Sequence, residues 1–117
     1  MTSPAVLDRE RLKRLAALGE PGLVEELIGD YRAQAAEVSA QLRVAVEAGD
    51  VASVQALAHG LKGSSGMLGV DVVAAVCAQI EYSHTLEPAL LLKLDESLAA
   101  AYVAFAALRP EPPDVDA

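Results

Sequence analysis

The chain has 117 residues, 53% of them apolar, with no tryptophan and a net charge of −8. That length fits one domain with a modest core of its own, and the acidic balance argues against nucleic acid, whose phosphates are bound through cations. The single cysteine, Cys77, excludes an internal disulfide and is expected as a small buried apolar residue in a reducing cytoplasm. No signal peptide is expected, because Met1-Thr2-Ser3-Pro4 lacks a basic region followed by an apolar one. The longest apolar stretch, Leu98 to Leu108, is too short to span a bilayer.

Taken in chain order, the pattern predicts helices throughout and no strand alternation. A short first helix runs from about Leu7 to Leu18 and ends at Gly19; its Arg9, Arg11, Lys13 and Arg14 read as a solvated face, or as a patch that steers an acidic partner. A long second helix begins near Pro21, a residue suited to a first turn. Its apolar stripe is Leu23, Leu27, Tyr31, Val38, Leu42 and Val46. Gly49 ends it and Asp50 caps the third helix. Asp71 can cap a fourth, with Val73, Val76, Cys77 and Ile80 inward. Pro88 sits early in a fifth, whose stripe is Leu91, Leu94, Leu98, Tyr102, Phe105 and Leu108. Short connections between long helices imply antiparallel neighbours. The expected fold is therefore all-α, an up-down antiparallel four-helix bundle with a short additional N-terminal helix. It occupies residues 1–108, and the proline-rich acidic stretch 109–117 is expected as a disordered tail.

The third helix carries the chemistry. At about 100° per residue, Leu57, Leu61 and Leu68 lie within roughly 20° of the direction opposite His59, so burying them turns the imidazole outward. Within about 60° of His59 on the same wheel lie Gln55, Ala56, Lys62, Gly63 and Gly66. Gly60, Gly63 and Gly66 would each destabilise a helix interior by roughly 1 kcal/mol relative to alanine. Close packing by another helix of the chain does not suit Gly63 and Gly66, which share the outward side with His59. A loop is at odds with the Val54, Leu57, Leu61, Leu68 spacing. A docking surface whose partner approaches the histidine closely accounts for both, while Gly69 falls where a helix C-terminal cap belongs.

His59-Gly60-Leu61-Lys62-Gly63-Ser64-Ser65-Gly66-Met67-Leu68-Gly69 resembles the signature of histidine-containing phosphotransfer (HPt) domains. Ala48-Gly49-Asp50 resembles the turn by which that family enters its histidine helix, and Cys77-Ala78-Gln79-Ile80-Glu81 its next helix. The similarity covers about Leu23 to Leu108. It implies that His59 reversibly accepts a phosphoryl group through Nε2 from a receiver-domain aspartate and passes it to a second receiver. The implied partners are receiver domains of a hybrid histidine kinase and of a response regulator, with Mg²⁺ on the receiver and no cofactor on this chain. Lys62 would then place an ammonium near the phosphoryl oxygens, and Gln55, Ala56, Gly63 and Gly66 would form the docking surface. Ser64, Ser65, Leu68 and Gly69 would be structural members of the motif. Glu81, where the family often carries Gln or Glu, would accept a hydrogen bond from Nδ1–H and present Nε2 for attack.

Rival readings leave separate marks. A metal-binding bundle using His59, Glu81 and His84 lacks the Glu-x-x-His or His-x-x-x-His spacing of such sites. A histidine kinase needs an ATP-binding domain, for which there is neither a glycine-rich nucleotide loop nor sufficient chain. A helical adaptor that docks on receivers without carrying phosphate is the remaining alternative. The expectation is a monomeric, cytoplasmic phosphocarrier that is not an enzyme in its own right.

Overall fold

In a computed structural model describing residues 4–83 and 86–108, every regular element is a helix. The order is α1 (Arg9–Leu18), α2 (Leu23–Glu47), α3 (Val51–Leu68), α4 (Asp71–Tyr82) and α5 (Pro88–Ala106). α3 packs between α2 and α4, α5 packs on α4 and α2, and α1 lies against α2. His84, a member of the rival metal-binding set, and the 109–117 tail fall outside the described residues.

Local chemistry sets the boundaries. Asp8 caps α1 by accepting from the Arg11 N–H at 3.1 Å, so the helix starts two residues later than its apolar pattern suggests. α2 starts at Leu23, after a turn containing Pro21 and Gly22. Pro21 is thus outside the helix; Gly22, with φ 90°, takes the left-handed conformation that the entry requires. Asp50 caps α3 as expected, through the Ser53 N–H at 3.1 Å and the Ser53 hydroxyl at 2.6 Å. These bonds hold its carboxyl below the usual range. At α4 the cap position belongs to Val70 and not to Asp71, which is the first helical residue. Val70 is fully buried and donates its N–H to the Ser65 carbonyl at 2.8 Å, fixing the α3–α4 corner.

The expected stripes form the core, joined by alanines that let the helices approach. Leu42, Leu61, Val73 and Cys77 are fully buried, as are Ala35, Ala58 and Ala101. Leu23, Leu27, Val46, Leu57, Leu91 and Tyr102 are only half-buried, at the edges of their stripes. Tyr31 meets Phe105 edge-on, with ring centroids 6.0 Å apart. Its hydroxyl pairs with the buried Ser65 Oγ at 2.7 Å. Burial pushes the Tyr31 phenol well above its ordinary pKa, so the hydroxyl keeps its proton. Tyr31→Phe leaves Ser65 Oγ without that partner and should lower stability by about 1–2 kcal/mol. Urea unfolding of the two proteins reads the difference.

Candidate functional site

The leucines of α3 turn inward and the His59 ring turns out, with 69% of its side chain exposed. Its Nδ1 lies 2.7 Å from Glu81 Oε2, on α4. The other oxygen of the same carboxylate, Oε1, accepts from Lys62 Nζ at 2.5 Å. Glu81 therefore holds His59 on one oxygen, as expected, and on the other Lys62, a pairing that the sequence reading did not anticipate. As the Glu81 side chain is only 19% exposed and that of Lys62 26%, the pair is largely sheltered while the ring is not.

Electrostatics keep the anchor charged. The Lys62 ammonium, and then the His59 ring, hold the Glu81 carboxyl below the usual carboxylate range. Glu81 in turn raises Lys62 above its ordinary value. A depressed carboxyl contributes stability above its unfolded pKa and loses it as pH falls through the lower folded value. A raised ammonium loses its contribution only as pH rises through the higher folded value. The linkage is thus complete across neutral pH. Side-chain NMR should show the Glu81 carboxyl titrating below the ordinary glutamate range.

Around the ring the surface is bare. Among the described residues, a side-chain carbon added at Gly60, Gly63 or Gly66 would meet nothing within 4 Å, so none of these glycines serves a close helix contact there. Ala56 and Gly63 are exposed, while Gln55 and Gly66 are half-buried. On the α2 side, Ala56 and Leu57 continue into a shallow apolar groove with Val44 and Ala48. Gly69 is different: its φ is 78°, and an added carbon would lie 2.9 Å from Asp8 Cβ. There it caps α3 and accepts from the Asp8 N–H at 2.7 Å, tying α1 to the end of the histidine helix.

The motif serines divide their roles. Ser64 bonds back to the Gly60 carbonyl at 3.3 Å, whereas Ser65 and Leu68 are buried. Beneath the site, Cys77 is fully buried and its thiol is pushed up to about 12 by burial, which keeps it protonated. Sequence reasoning missed Tyr82, the last residue of α4, whose ring lies with its centroid 5.2 Å from Lys62 Nζ. It also missed the Tyr31–Ser65 bond. The only signal for Tyr82 was its place directly after Glu81.

Fold and site together define a helical bundle that presents an exposed, carboxylate-anchored imidazole on a bare surface. The Hpt domain family model matches residues 26–104, and the chain belongs to that family. Its structure is similar to the crystal structure of histidine-containing phosphotransfer protein B (HptB) from Pseudomonas aeruginosa PAO1. That match has a TM-score of 0.81 and 25% identity, covering 89% of this chain and 94% of that one. No curated protein sequence matches this chain.

Proposed function

We propose that this chain is a stoichiometric carrier in a multistep phosphorelay, accepting a phosphoryl group on His59 from one receiver aspartate and passing it to another. The observation that carries the reading is the exposed His59 ring with Nδ1 held 2.7 Å from Glu81. With Nδ1–H donated to the carboxylate, the lone pair is on Nε2. Nε2 attacks phosphorus, the N–P bond forms, and the acyl P–O bond breaks to return the receiver's aspartate as a carboxylate. The ring retains its Nδ1 proton and becomes formally cationic, facing the Glu81 carboxylate that offsets the charge. Reversal follows the same path when another receiver's carboxylate attacks.

The remaining assignments follow from this reading. Lys62 has three ammonium donors, one of them engaged by Glu81, so others remain for the phosphoryl oxygens. Gln55, Ala56, Gly63 and Gly66 form the surface on which the receiver docks. Mg²⁺ belongs to the receiver, and the carrier has no ATP site, so it acts as a substrate of the relay more than as an enzyme. The short α2–α3 and α3–α4 connections support an up-down antiparallel arrangement of α2 to α5, with α1 added to it. Among the described residues no helix is long and apolar enough to cross a membrane, and a cytoplasmic monomer fits the acidic, cysteine-poor chain.

The test is transfer from a panel of phosphorylated receiver domains, read by intact mass of both proteins. Gain of one acid-labile phosphoryl group, matched by loss from the receiver, is the expected result. Receiver binding without transfer would instead favour the docking adaptor. Lys62→Ala should slow transfer roughly tenfold, the loss of one charge-assisted contact, and should lower the thermal midpoint, because it leaves the sheltered Glu81 carboxylate without its main partner.

A further inference from the structure

We infer that Tyr82 is a positioning residue for phosphotransfer: its ring holds the Lys62 ammonium against Glu81 and thereby steadies the His59 imidazole. This inference rests on the phosphocarrier reading of His59. Lys62 reaches Glu81 from a long, flexible stem that by itself would leave the ammonium many positions. The Tyr82 ring restricts them, with its centroid 5.2 Å from Nζ, within the distance at which a cation is attracted to an aromatic face. Tyr82 as a whole residue is 70% exposed, whereas the Lys62 side chain is only 26% exposed. Tyr82 therefore lies on the solvent side of the ion pair and no core packing explains its place. The chain of contacts is continuous: Tyr82 on Lys62, Lys62 on Glu81 Oε1, Glu81 Oε2 on His59 Nδ1.

A ring that holds Lys62 fixes both oxygens of Glu81 and, through Oε2, the rotation of the imidazole. Without it the ammonium can leave Oε1, the carboxylate can turn, and Nε2 spends less time aimed at the incoming phosphorus. Alignment is a large part of what such a transfer requires. Tyr82 touches none of the reacting atoms and acts through Lys62.

The experiment compares wild type, Tyr82→Leu and Tyr82→Phe in two measurements. The first is the NMR shift of the Lys62 Cε protons, which a neighbouring aromatic ring displaces. The second is the rate and half-saturation of transfer from a phosphorylated receiver that charges the wild type. Tyr82→Leu should abolish the ring-induced shift and lower the saturating rate about two- to fivefold, with half-saturation unchanged. Tyr82→Phe, which keeps the ring, should restore both. An unaltered Lys62 shift in Tyr82→Leu would overturn the inference, as would a loss confined to half-saturation, which would make Tyr82 a docking contact. If no receiver charges even the wild type, the reading of His59 fails, a result distinct from any change confined to the Tyr82 variants.

Discussion

His59→Gln is expected to take up no phosphoryl group from any receiver that charges the wild type, while its helical circular dichroism and thermal midpoint stay unchanged. The ring is largely exposed and contributes no core contact, so stability should move by no more than about 0.5 kcal/mol, as for other surface changes. Glutamine keeps a polar side chain that can reach Glu81, but an amide nitrogen has no lone pair available to attack phosphorus. Glu81 and Lys62 remain paired in the variant, so any residual transfer could not be blamed on a collapsed site. Phosphoryl uptake by His59→Gln would place the acceptor elsewhere. Intact mass after incubation with the phosphorylated receiver decides it.

Gly63→Leu should raise stability and lower receiver affinity, two effects of opposite sign from one side chain. Among the described residues nothing lies within 4 Å of the added carbon, and leucine is a better helix former than glycine by somewhat less than the roughly 0.8–1 kcal/mol that separates glycine from alanine. Folding should therefore improve by close to that amount in urea titrations. The same leucine stands one turn from His59, on the face where the receiver's loops must approach. Docking should weaken roughly tenfold, about 1.4 kcal/mol. Gly63→Ala, with a single added carbon, should show the stability gain and a smaller affinity loss. Because the variant is the more stable protein, weaker binding cannot be ascribed to unfolding. Unchanged affinity for a receiver that phosphorylates His59 would refute the bare-surface argument.

Much of this molecule is legible in its apolar spacing. Val54, Leu61 and Leu68 on α3, and Val73, Val76, Cys77 and Ile80 on α4, are buried where periodicity puts them, and their burial is what turns His59 outward. Helix starts were less legible because a cap depends on backbone geometry as well as residue type. Asp71 has a capping side chain, yet the chain turns at Val70, whose N–H is drawn to the Ser65 carbonyl. Pro21 suits a first turn, yet the left-handed Gly22 follows it and the helix begins only at Leu23. The site splits along the same line. His59, Lys62 and Gly63 share one helix, so their common face follows from 3.6-residue periodicity. Glu81 lies on α4, and whether it reaches His59 depends on how α3 and α4 cross, which their separate patterns do not specify. Tyr31 and Ser65 are 34 residues apart and meet only because α2 and α3 pack at that level. Tyr82 found Lys62 for the same reason, as a product of packing between two helices.

The most direct test of the account is to charge ¹⁵N-histidine-labelled protein with a phosphorylated receiver and locate the phosphorus by its coupling to nitrogen. The account predicts one phosphoryl group on Nε2 of His59, with Nδ1 still protonated and bonded to Glu81. Phosphorus on Nδ1, phosphorus on any other residue, or no uptake from receivers that bind the chain would contradict it.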